Sequence, residues 1–132
     1  MTGTPSPTEL PHETLRYAVD AADDRKAIDL RVLDLRSLCD FTDAFLIMSG
    51  ASQRQVQALA EAIEAALVEH GVTAHHVEGA PQGRWVLLDY GDFVVHIFDR
   101  ERRDYYRLED IWSDAPDVTT SYLRHPQPAA DS

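Results

Sequence analysis

Between Gly83 and Trp112 the chain reads GRWVLLDYGDFVVHIFDRERRDYYRLEDIW, and no other stretch restricts the fold as strongly. It holds both tryptophans and three of the five tyrosines. Trp85–Asp89 and Phe93–Phe98 are short runs rich in β-branched and aromatic residues. Tyr90-Gly91 lies between them, and glycine supplies the positive φ of a tight turn. The pattern predicts a β-hairpin, followed by a helix. With Tyr90-Gly91 as the loop, Asp89 faces Asp92, Leu88 faces Phe93, Val86 faces Val95 and Trp85 faces His96. Alternation then gathers Val86, Leu88, Phe93, Val95 and Ile97 on one apolar face, which is core. The other face carries Trp85, Leu87, Asp89, Asp92, Val94 and His96. Its mixed character suits a surface covered only part of the time. Two aspartates opposed at the turn weigh against this register.

The remaining pattern is read around the hairpin. Residues 1–8 are Thr-, Pro- and Ser-rich and are expected to be a flexible tail. Leu15, Val19 and Ala22 recur at helical spacing and predict a helix from Glu9 to Arg25. Ile28–Leu35 reads as a strand, and Ala44–Met48, AFLIM, as an interior strand covered on both faces. Ser52 and Gln55 form a capping box, after which Val56, Leu59, Ile63 and Leu67 make a buried stripe. Gly71 ends that helix. Val72–Glu78 is a further strand, and GAPQG at 79–83 a loop. Asp99 caps a last helix in which Tyr105, Leu108 and Trp112 share a face. The order α-β-β-α-β-β-β-α predicts an α/β (α+β) domain over residues 9–113, a mixed sheet of about five strands with helices packed on it. Residues 114–132 are expected to be a disordered tail.

Charge narrows the function. One lysine and eleven arginines stand against twenty-three acids, for a net charge of −11. Phosphate backbones demand clustered cations, so direct DNA or other non-specific nucleic-acid binding is not expected. A basic protein partner is favoured electrostatically. The single cysteine, Cys39, excludes an internal disulfide and a multi-cysteine zinc site. No run is long enough to span a membrane and no signal peptide is evident, which fits the cytoplasm.

Catalytic patterns are weak. The Gly50–Ser52 turn leads into a helix N-terminus, a place where phosphate can bind. A nucleotidyl-transferring site also needs paired carboxylates for magnesium on a following strand, and VTAHHVE has none. An ordinary helix cap and a nucleotide-handling turn are the two readings. His75 and His76 are adjacent on a strand, point to opposite faces, and cannot easily share a metal. No Gly-x-Ser-x-Gly elbow occurs. No catalytic residue, metal or cofactor is assigned.

LDLRSLCDFTDAFLIMSGASQRQV at Leu33–Val56, then VEG, then RWVLLDYGDFVVHIFDRERRDYYRLEDIW together carry a resemblance. The chain resembles the ribosomal silencing factors of the Iojap-related family, from about Leu15 to Trp112. The resemblance implies a nucleotidyltransferase-like fold without the catalytic acids. It implies binding to the large ribosomal subunit through that subunit's basic ribosomal protein fourteen. The bound factor then blocks joining of the small subunit and represses translation when nutrients are scarce. Relatives in organelles take part in large-subunit biogenesis, and the family forms homodimers when free. Resemblance and face pattern together nominate Trp85 as anchor, with Leu87 and Val94 as its apolar flank. Asp43, Glu78, Asp89 and Asp92 are nominated as acids meeting Lys or Arg, with His96 and Tyr105 beside them.

Overall fold

The computed structural model describes residues 12–100 and 114–123. Its elements are α1 (His12–Asp24), β1 (Ile28–Asp34), β2 (Ala44–Gly50), α2 (Gln53–Glu69), β3 (His76–Glu78), β4 (Trp85–Asp89) and β5 (Phe93–Asp99). The expected helix start at Glu9 and the last helix, with Tyr105, Leu108 and Trp112, lie outside the described residues.

β2 is the strand that the AFLIM run demanded, and every one of its residues is buried. It pairs parallel with β5, which is buried from Phe93 to Phe98. The other neighbours are antiparallel, and the sheet order is β1-β2-β5-β4-β3. This is the mixed five-stranded sheet expected from the sequence. Alternation along β2 sends Ala44, Leu46 and Met48 to one side and Phe45 and Ile47 to the other. The first side forms the larger core with Leu15, Val19 and Ala22 of α1 and Val56, Leu59, Ile63 and Leu67 of α2. Both described helices therefore lie on one face of the sheet.

Each helix ends by the same chemistry. After α2, Gly71 has φ 78° and the Val72 N–H donates to the Leu67 carbonyl at 2.9 Å. After α1, Ala27 N–H donates to Ala22 at 3.1 Å, and Lys26 takes the left-handed position at φ 64°. This pairing satisfies carbonyls that the helix leaves open. The bond from Val72 also shortens the next strand: Val72–Glu78 was expected, and only His76–Glu78 pairs with β4.

The hairpin exists, with a corrected register. Trp85 lies opposite Phe98, Val86 opposite Ile97, Leu87 opposite His96, Leu88 opposite Val95 and Asp89 opposite Val94. That is two residues from the expected pairing. A slip of two leaves every side chain on its own face, so the apolar set Val86, Leu88, Phe93, Val95 and Ile97 is buried as expected. The slip separates the two aspartates that the other register would have opposed. Asp89 instead accepts the Gly91 N–H on its carboxylate at 2.8 Å. Gly91 has φ 84°, and the Asp92 N–H donates across it to the Tyr90 carbonyl at 3.0 Å. Tyr90 thereby leaves the loop and stacks on Phe93, ring centroids 5.1 Å apart, within the larger core.

The expected disordered tail is also corrected over residues 114–123. The Asp34 N–H donates to the Pro116 carbonyl and the Val118 N–H to the Val32 carbonyl, each at 2.9 Å. Leu33 and Asp117 form an antiparallel bridge. A 3₁₀ turn at Thr119–Ser121 then delivers Tyr122, fully buried, to the core beneath α1. Composition predicts a loose tail because Val118, Tyr122 and Leu123 are its few large apolar side chains. Burying one whole tyrosine, with hydrogen bonds to an open strand edge, outweighs that shortage.

Thr119 is the pin of this strap. Its hydroxyl accepts the buried Val32 N–H at 2.9 Å and donates to the Asp117 carboxylate. Thr119→Val keeps the shape and removes the acceptor, so a buried N–H loses its partner. Urea unfolding is expected to show a stability loss of about 2 kcal/mol; an unchanged midpoint would show that the strap does not support β1.

Candidate functional site

The face of the sheet opposite the helices is built in cross-strand rows. Pairing of the strands sets His76, Asp89, Val94, Phe45 and Leu33 side by side. The next row is Glu78, Leu87, His96, Ile47 and Arg31. Trp85 and Phe98 follow, their rings stacked 5.0 Å apart and 27° from parallel. The centre is a second, smaller core of Leu33, Leu35, Phe45, Ile47, Val94 and Phe98, against which Trp85, Leu87, Cys39 and Ala115 pack. Charged residues stand at the ends of the rows.

His96 organises the centre. The Trp85 Nε1–H donates to His96 Nδ1 at 3.2 Å. The imidazole packs edge-on to the Phe45 ring, centroids 4.5 Å apart at 73°. Acceptance at Nδ1 places the ring proton of neutral His96 on Nε2, which is buried and finds no hydrogen-bond partner among the described residues. Burial pushes the imidazole pKa down from 6.5 to about 4. The histidine is thus a neutral acceptor that fixes the tilt of the Trp85 indole.

The nominated residues divide into groups. Trp85, Leu87, Asp89, Val94, His96 and Glu78 share this face. Val94 and His96 are only 8% and 5% exposed, so they support Trp85 from behind. Trp85 and Leu87 are half-buried. Asp43 and Asp92 meet at one end of the sheet, where the Asp43 N–H donates to the Asp92 carbonyl at 2.9 Å. Glu78 is exposed and pairs with His76 at 2.6 Å. Tyr105 lies outside the described residues. Leu38 and Phe41, which no sequence motif singles out, are exposed on the loop between β1 and β2. Their apolar character between the predicted strands Ile28–Leu35 and Ala44–Met48 was the available signal.

The Gly50–Ser52 turn has the geometry of a cap. Ser52 Oγ accepts the Gln55 N–H at 3.1 Å, and Gln55 Oε1 accepts the Ala51 N–H at 2.7 Å. The box uses two donors that a phosphate would otherwise take. A side chain at Gly50 would stand 2.9 Å from the Val56 nitrogen, so packing of the first turn of α2 accounts for the glycine. The adjoining cleft, about 360 Å³, is lined by Ala51, Ser52, Gln53, Asp99 and Arg100. Among the described lining residues Asp99 is the one carboxylate, where a nucleotidyl-transfer site needs a pair. Among the described residues no group of three or more His, Cys, Asp and Glu is placed to hold a metal. Among them, too, no helix is long and apolar enough to cross a membrane.

Comparison with known proteins places this geometry. The profile of a family described as "Ribosomal silencing factor during starvation" matches residues 8–132. The ribosomal silencing factor RsfS of Halalkalibacterium halodurans is 44% identical over 106 residues, covering 80% of this chain and 91% of that protein. RsfS of Bacillus subtilis is 44% identical over 102 residues, covering 77% of this chain and 86% of its own length. A crystal structure of a Chromobacterium violaceum protein superposes with a TM-score of 0.76 at 35% identity, covering 92% of each chain.

The depressed pKa of His96 has a measurable consequence. Above pH 6.5 the histidine is neutral in folded and unfolded chains alike, and the shift has no effect on stability. Between pH 6.5 and about 4 the unfolded chain takes up the proton first, so stability falls as pH falls. The loss levels off below about 4, at a total of about 3 kcal/mol. Urea titrations of the native protein and of His96→Phe across this range are expected to differ by that pH-dependent amount. Parallel curves would show that His96 titrates normally.

Proposed function

The chain belongs to the family of ribosomal silencing factors, and from that premise we propose that it represses translation by occupying the large ribosomal subunit. It docks through the basic ribosomal protein fourteen of that subunit and stands where the small subunit would join. Occupancy alone is sufficient, and no chemical step is required. The observation that carries the reading is the sheet face without a described helix, where Trp85 is held by His96 and Phe98. A half-buried tryptophan beside an apolar Leu87 is the composition of an interface anchor. Glu78 in the Leu87 row, and Asp43, Asp89 and Asp92 toward the other end of the sheet, complement a cationic partner, as does a net charge of −11. Docking is set mainly by Trp85 and Leu87, with the buried Val94 and His96 acting through them.

The same reading accounts for further properties. Repression under nutrient limitation, action in the cytoplasm and a contribution to large-subunit biogenesis follow from the family role. A free homodimer would cover the same apolar face and release it on docking.

Subunit joining tests the proposal. Saturating protein is expected to reduce formation of complete ribosomes from purified subunits, and undiminished joining would refute it. Trp85→Ala is expected to weaken co-sedimentation with large subunits by about 2 kcal/mol, roughly thirtyfold. Circular dichroism of the variant must first show an intact fold, because the indole also packs on Phe98.

A further inference from the structure

We propose that the docking surface extends beyond the Trp85 face onto the β1–β2 loop, where Leu38 and Phe41 form a second, prominent anchor for the same basic ribosomal partner. The inference rests on the function proposed above and adds residues to its site.

Phe41 is 65% exposed and Leu38 39%, within four positions of each other. Phenylalanine left in water forgoes a large burial energy. A single exposed apolar side chain is ordinary, but two on one short loop at the margin of an apolar sheet face make a patch. A file of rings, buried at Phe45 and His96, connects the patch to Trp85. Phe41 lies 6.5 Å from Phe45, Phe45 lies 4.5 Å from His96, and His96 accepts the hydrogen bond from Trp85.

The loop is pre-shaped. Leu38 and Cys39 N–H groups both donate to the Leu35 carbonyl, at 2.9 and 3.1 Å. The Leu35 N–H donates to the Asp43 carbonyl at 2.8 Å, and Asp43 in turn donates to Asp92. Cys39, between the two exposed side chains, packs into the second core. Arg36 is held by Asp34 at 2.8 Å, so the cation at the start of the loop is partnered within the chain. A loop fixed before binding loses little entropy on docking.

Charge selects the occupant. Asp40 stands between Leu38 and Phe41, and Asp43 and Asp92 adjoin them at the same end of the sheet. An apolar knob with three neighbouring carboxylates fits a protein surface that offers an apolar socket rimmed by Lys or Arg. RNA phosphate would be repelled by the same carboxylates. A second copy of this chain, itself acidic, would bring like charge to the contact.

The experiment compares the double variant Leu38→Ser/Phe41→Ser with Trp85→Ala, each confirmed folded by its melting curve. Purified large ribosomal subunits are the probe. The double variant is expected to bind at least tenfold more weakly, and Asp40→Asn to weaken the salt dependence of binding. Wild-type binding by the double variant with loss in Trp85→Ala would overturn this inference and leave the proposed function standing. Wild-type binding by both would overturn the inference together with the sheet-face reading. If the double variant converts a free dimer to monomer yet binds subunits normally, the occupant is a second copy and the inference is likewise overturned.

Discussion

The parallel pairing of β2 and β5 is the constraint on which the rest of the structure depends. Both strands are buried on both sides, so two layers must cover them. Parallel neighbours need a long crossover, and here the connection runs through α2, β3 and β4. The crossover places α2 beside α1 on one face. The opposite face has no described helix, and among the described residues it is closed by the β1–β2 loop and Ala115. Among the described residues, that side is rich in aromatic and apolar groups at its margin.

Polar groups on that side are arranged for rigidity. His96 in a neutral, buried state is an unusual choice for a β5 position, since a buried imidazole with one nitrogen unpaired costs free energy. Its return is the hydrogen bond to the Trp85 indole, which together with the stack on Phe98 fixes the orientation of a large side chain. Asp89 is used similarly: its carboxylate stabilises the hairpin turn through Gly91. Residues nominated as contacts thus serve partly as supports, and among the described residues the outer apolar groups on that side are Leu38, Phe41, Leu87 and Trp85.

The hairpin shows how far periodicity reaches. The alternation of Val86, Leu88, Phe93, Val95 and Ile97 named the core face correctly, because face depends only on parity. It could not choose between pairings two residues apart, because both have the same parity. Repulsion between Asp89 and Asp92, and the apolar ring of Tyr90, decided between them. The tail from Asp114 to Leu123 was illegible for a different reason. Its hydrogen bonds go to β1, about ninety residues earlier, and local composition carries no signal for such a partner. Short β3 was overextended because Val72 is taken up by the end of α2.

By itself, the sequence determined the two described α-helices, the existence of every described strand, the acidic character and the sheet face on which Trp85 sits. These follow from local periodicity, capping residues and charge, which act within a few positions along the chain. Tertiary structure alone decided the strap across β1, the burial of Val94 and His96, and the exposure of Phe41. Each of those depends on which distant group arrives opposite a side chain, and only the packed sheet brings that group into place.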